Sequence, residues 1–184
     1  AVAQQQLQLG TLVVKTLSIS VVAVALRTAN GPTTQVGEAL SIGSAGTVPA
    51  VHVSLQMLQQ MPGEVEKADI NRQRRNELCA EMGALLPSVI QFCGHVLAGS
   101  GQGSPAEAHS ATALDTIAAW VKLASLPLSA LAMSSDDSRA VFQKMLQLLA
   151  GQNVAVAVSA AKALEATLIR HEDPSEQRNM AINA

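Results

Sequence analysis

The sequence predicts an all-α chain of stacked helix pairs, and three observations carry that expectation. Apolar residues make up 48% of the 184 positions and charged residues only 14%. The usual charged share is about a quarter, so the chain holds enough apolar surface for a core and lacks the composition of a disordered one. Ala and Leu together supply more than a quarter of it, and both are strong helix formers. Apolar residues then recur at three- and four-residue spacing in one segment after another, the period of a helix face. The same composition excludes other classes. With one Trp, two Phe and no Tyr, most β-sandwiches and barrels are disfavoured, as are RNA binders that work by base stacking. A net charge of −2 leaves no basic footprint for nucleic acid.

Residues 4–28 predict the first helix, with Leu7, Leu9, Leu12, Val13, Leu17, Val21, Val24 and Ala25 as its apolar positions. Gly10-Thr11 offers a break there, with Thr11 as the cap of a new helix. Asn30-Gly31-Pro32 is a stop signal. Thr33 or Thr34 then caps a short helix through Ile42, which residues 43–46 end. Residues 49–61 form a helix with Val51, Leu55, Leu58 and Met61 on one face, terminated by Pro62-Gly63. Residues 64–81 carry nine of the 26 charges, whereas the first 63 residues carry three. That stretch reads as a solvated connection into a long helix over residues 72–97, striped by Leu78, Met82, Leu85, Val89, Cys93 and Val96. Pro87 lies inside the stripe, so the helix either kinks there or gives way to a second helix that starts with Pro87.

Residues 99–105, Gly-Ser-Gly-Gln-Gly-Ser-Pro, read as a flexible loop. A helix over residues 106–123 follows, with Leu114, Ile117, Val121 and Ala124 on one side, Trp120 beside them, and Pro127 as an interruption. Residues 134–138 cap a helix over 139–150 whose face is Val141, Met145, Leu148 and Leu149, and Gly151 stops it. Asn153 caps the last full helix, to about Arg170, with Val154, Val158, Ala161, Leu164 and Leu168 as its face. Arg170 and His171 suit its negative end. Asp173-Pro174 opens one more helix.

Leu17, Leu58, Trp120 and Leu164 occupy matching places in this series, 41, 62 and 44 residues apart. The longer middle spacing holds the charged stretch and the Gly-Ser loop. Two-helix units of about 40–47 residues are the period of HEAT and armadillo repeats, which bury their apolar faces only by stacking on their neighbours. The predicted fold is an α-α superhelix of that kind: a single segment, residues 1–184, of a longer chain, with approximate units at 11–46, 47–104, 105–151 and 152–184. A compact helical bundle gives similar faces and is the alternative.

The residues that could carry chemistry point away from it. Cys79 and Cys93 are fourteen positions apart, roughly 21 Å along one helix. That is too far for a bridge, so both are expected as free, structural thiols, in keeping with a reducing compartment. His52, His95, His109 and His171 lack metal-ligand spacing and read as surface or helix-end histidines. His95, two residues from Cys93, falls on a different helix face and cannot serve it as a base. Gly99, Gly101 and Gly103 have no strand before them and no Lys-Ser or Lys-Thr after them, unlike a phosphate loop. Asp136-Asp137 reads as a cap and dipole complement. The uncharged run over residues 16–26 is too short to span a bilayer, so no membrane partner is expected. Neither a catalytic residue, nor a cofactor, nor a metal site is expected.

Residues 55–65, Leu-Gln-Met-Leu-Gln-Gln-Met-Pro-Gly-Glu-Val, resemble a motif of the importin-β superfamily of nuclear transport receptors, in its transportin-SR and importin-thirteen branch. There a HEAT helix ends in Leu-x-x-Leu-x-x-Leu-Pro-Glu-Glu-[Val/Phe], followed by an Arg-rich connection. Here Met61 replaces a Leu, Gly63 replaces the first Glu, and Arg72, Arg74 and Arg75 follow at a similar distance. Residues 81–87, Glu-Met-Gly-Ala-Leu-Leu-Pro, are similar to the family's next helix, mid-helix proline included. Ala118-Ala119-Trp120 is similar to a small-small-Trp element in the one after, and residues 11–26 look like the helix one repeat earlier. The resemblance spans about residues 11–170 in the right order. It implies a superhelical carrier that shuttles between cytoplasm and nucleus and binds cargo, the GTPase Ran and nucleoporins. The branch carries Ser/Arg-rich proteins, often phosphorylated, so Arg72, Arg74 and Arg75 are the candidate partner contacts. A mixed-charge, self-neutralised connection is the plainer reading of them, with Glu64, Glu66, Asp69 and Glu77 close by. A generic α-solenoid scaffold and an all-α regulatory enzyme domain are the other two functional classes open to this sequence.

Overall fold

Seven helices carry the described residues of the computed structural model, which are 2–28, 31–99, 107–124 and 136–168. They are α1 (Val2–Ala25), α2 (Gly31–Ser44), α3 (Val48–Lys67), α4 (Arg72–Ala98), α5 (Glu107–Ala124), α6 (Asp136–Leu149) and α7 (Val154–Leu168). Among the described residues there is no strand, and the chain is all-α. The expected helix beginning at Asp173-Pro174, most of the Gly-Ser loop and His171 lie outside the described residues.

The helices sort into two layers. In one, α3 lies between α1 and α5, and α5 lies between α3 and α7. In the other, α4 lies between α2 and α6. The layers are joined by α2 on α3, α4 on α5 and α6 on α7. Every substantial contact among the described helices therefore links helices one or two places apart in their order. The contact of α5 with α7 is the most extensive among the described helices, and both helices bury small residues: Ala113 and Thr116 on α5, Ala160 and Ala163 on α7. Small side chains let two helix backbones approach closely.

Capping follows local chemistry. The Asn71 side chain accepts a hydrogen bond from the Arg74 backbone N–H at 2.8 Å to open α4. Asn153, the expected cap, accepts from Val156 N–H at 3.3 Å to open α7. Thr47 accepts from Ala50 N–H at 3.4 Å ahead of Val48-Pro49, placing proline in the first turn of α3, where it costs no hydrogen bond.

Two prolines depart from, or decide between, the sequence expectations. Pro62 does not end its helix, since α3 runs through it to Lys67. Proline has no N–H to give to the carbonyl four residues back, here that of Leu58. Trp120 on α5 donates its indole N–H to that same carbonyl at 2.7 Å. The side chain of a neighbouring helix replaces the missing bond, and Pro62 is buried behind it. Pro87 leaves α4 a single helix from Arg72 to Ala98 and is itself exposed.

The core runs along both layers. Leu55, Leu58 and Met61 of α3, Leu78, Met82, Leu86, Val89 and Cys93 of α4, and Leu114, Ile117 and Trp120 of α5 are fully buried or nearly so, each large side chain contributing about 1.5–3 kcal/mol by leaving water. By length and composition α4 is apolar enough to cross a membrane, yet its apolar stripe is taken up by packing on α2, α5 and α6. The outermost helices differ from expectation. On α1 the buried positions are Ser18 and Val22, with Leu26 just beyond its end, whereas Leu12, Val13, Leu17, Val21 and Val24 are exposed, Leu17 by 60%. Leu17 is therefore not a buried counterpart of Leu58 and Trp120. On α7 the buried set is Val156, Ser159, Ala160, Ala163, Leu164 and Thr167, while Val154 and Val158 are exposed. The apolar stripes were read correctly as apolar, but a helix at the edge of two layers has neighbours on one side only.

Candidate functional site: a histidine-lined cleft

The arginines singled out in the sequence open α4. Arg72 is exposed and has no partner among the described residues. Arg74 reaches Glu77 at 3.3 Å, Glu81 at 4.0 Å and the backbone carbonyl of Thr28, beyond the end of α1, at 3.5 Å. Arg75 donates to the carbonyl of Ala68 at 2.9 Å. Two of the three guanidinium groups thus tie the start of α4 to the chain around it, and the third belongs to an exposed residue. Exposed pairs of this kind are worth about 1 kcal/mol or less.

The other end of α4, roughly 35 Å away at 1.5 Å per residue, borders a cavity. It is a cleft of about 400 Å³ where the C-terminal ends of α2 and α4 meet the N-terminal ends of α3 and α5. Its apolar wall is Val48, Val51, Phe92 and Val96, and its polar lining includes His95 and His109. Two glycines shape it. Gly46 turns the chain between α2 and α3 at φ +69°, a conformation that a Cβ disfavours. Gly43 lies against the Phe92 ring, which would stand 2.5 Å from a Cβ there, so only glycine lets that ring lie where it does. His95 also borders a smaller cavity of about 170 Å³ between α4 and α6.

The described histidines lie at or near helix ends, in line with one half of their sequence reading, but they differ in burial. His95 is exposed near the end of α4, as expected. His109 is not a surface residue: it is 7% exposed. Its ring lies 5.7 Å from that of His52 on α3, tilted by 36°. Burial lowers its pKa from the ordinary 6.5, and the neighbouring His52 lowers it further, while a hydrogen bond to the Val48 backbone acts the other way. The Nε2 atom is buried without a partner. Sequence reasoning missed this pair because it sought ligand spacing within one helix, and 57 positions separate the two residues. No local signal announces the contact, which is made by the packing of α3 on α5.

Among the described residues no three His, Cys, Asp or Glu side chains come together as a metal site. Cys93 is free and fully buried, and burial pushes its thiol up to about 12, which keeps it protonated and unreactive. Cys79 is free and half-buried. Asp136 is exposed and pairs with Arg139 at 3.4 Å, a helix-start arrangement like the one expected of it. Compared with known proteins, the chain matches no family model, no curated protein and no solved structure.

Proposed function

We propose that this chain is a segment of a HEAT- or armadillo-type superhelix that serves as a nucleocytoplasmic transport receptor of the importin-β kind, carrying protein cargo and responding to Ran. The observation that carries the reading is a contact between motifs. The proline of residues 55–65 frees the Leu58 carbonyl, and the Trp of the small-small-Trp element on α5 takes it up at 2.7 Å. Two of the segments that resemble the transport receptors are thus physically complementary across successive units. The ordering of helices into two layers with contacts only between near neighbours supports the superhelical part, since repeat stacks bury their faces in that way. Cargo, including Ser/Arg-rich clients, would lie along the layer of α2, α4 and α6, where Arg72 is the arginine left available.

The test is direct binding of the 184-residue chain to Ran loaded with a non-hydrolysable GTP analogue or with GDP, by biolayer interferometry. Selective binding of the GTP form is expected. Equal or absent binding of both forms overturns the transport reading and leaves a protein-binding scaffold without a transport role.

A further inference from the structure

The cleft between the helix ends contains a feature that transport does not call on. His109 is the third residue of α5 and His52 the fifth of α3, so each imidazole sits near the positive end of a helix, where a cation is disfavoured. Their rings are 5.7 Å apart. His109 is buried with Nε2 unpartnered, so a proton added there would be a buried N–H without an acceptor, next to a second protonatable ring. We infer that His52 and His109 form a proton-operated latch: with both imidazoles neutral the first turns of α3 and α5 stay packed together, and protonation of His109 releases the start of α5 and opens the cleft.

The charges around the latch favour this direction. From α3 the group facing His109 is His52, and from α4 the same cleft presents His95. The lining contributed by α2 is uncharged. The described ionisable residues of α7, Lys162 and Glu165, are exposed. Besides His109, the described ionisable side chains of α5 itself, Asp115 and Lys122, stand almost two turns or more further on. Among the described residues no carboxylate acts on His109, and the ionisable group that does is His52. A buried histidine beside a carboxylate would gain from protonation; this one loses. The sign of the linkage follows. The folded pKa lies below the unfolded 6.5, so the folded protein binds fewer protons. The stability that the neutral pair contributes is complete above about pH 6.5 and is lost as pH falls from there towards the lower folded value.

Hydrogen exchange and proton NMR of the 184-residue chain between pH 8 and 5 test this. After correction for intrinsic exchange, amides in the first two described turns of α5 and α3 are expected to open more often as pH falls, by up to about tenfold per pH unit for one linked proton. Amides in the middle of α4 are expected to keep their protection. The His109 Hε1 resonance should titrate below 6.5. His109→Gln, and independently the half-buried His52→Gln should the first variant fold poorly, should flatten the pH dependence of opening in α5. A His109 resonance titrating at or above 6.5, opening that accelerates equally in all helices, or a pH profile unchanged in either variant overturns the latch.

Discussion

Two prolines inside two adjacent helices show how the same chemical defect is handled in opposite ways. Pro62 in α3 and Pro87 in α4 each remove one backbone donor from a helix interior. Beside Pro62 the orphaned carbonyl of Leu58 faces the layer partner α5, and Trp120 donates to it. Beside Pro87 the ring is exposed, and Gly83, four residues back, is half-buried. A buried acceptor has to find a donor from the protein, whereas an exposed one does not. The buried proline therefore makes a long-range contact specific, and the exposed one makes nothing specific. In α3 the sequence looks interrupted but is completed by another helix; in α4 an interior proline is carried at a local cost.

The comparison can be broken at several places, and the largest effect is expected at Trp120. Trp120→Ala removes a fully buried indole and leaves the Leu58 carbonyl without a donor. A loss of about 3–5 kcal/mol is expected in urea denaturation, and a loss below about 1 kcal/mol would show that α5 does not pack as described. Pro87→Ala should act in the opposite direction. It restores an N–H to an exposed site in a continuous helix, so stability should rise by up to about 3 kcal/mol, the usual penalty of an interior proline; thermal melts of the two proteins decide it.

The bond itself is isolated by a double-mutant cycle. Trp120→Phe keeps most of the buried ring but no donor, and should cost about 1–3 kcal/mol when Leu58 has no other partner. In a Pro62→Ala background the helix supplies its own N–H to Leu58, and most of that cost should vanish. Equal costs in the two backgrounds would mean that the indole N–H does not compensate for the proline. The smallest effect is expected at the arginines. Arg74→Ala gives up partly exposed pairs with Glu77 and Glu81 and should cost about 1 kcal/mol or less, with Arg72→Ala closer to zero. In this pair of variants the difference in denaturation midpoint reports how far Arg74 braces α4 against the end of α1.

Much of the fold was legible residue by residue. The stripe Leu78, Met82, Val89, Cys93 and Val96 is buried where its spacing placed it, as are Leu55, Leu58, Met61, Leu114, Ile117 and Trp120. Asn153 caps α7 as its side chain suggests, and the start of α4 falls at Arg72. These readings succeed because helix periodicity and capping act within a few residues. The errors share one cause. Pro62 carries the local signature of a helix stop, and α3 continues through it because the donor that completes Leu58 comes from 58 positions further along the chain than Pro62. Leu17 shares its place in the series with the buried Leu58 and Trp120 yet is exposed, and His109 lies at a helix end yet is buried, because an amphipathic pattern marks an apolar stripe without saying whether a neighbour covers it. The cleft was not legible at all, since it is assembled from the ends of four helices.

The sequence by itself thus determined the all-α class, the number and approximate limits of the described helices, and the side of each inner helix that is buried. Local hydrogen bonding and the apolar period act on the scale of one turn, and composition excludes the rest. The tertiary structure alone decided which carbonyl Trp120 completes, which end faces stay open, and which two histidines share a buried corner. Those are properties of distances between helices, and the strength of a hydrogen bond or the pKa of an imidazole depends on burial and on neighbours that the chain brings together only when it folds.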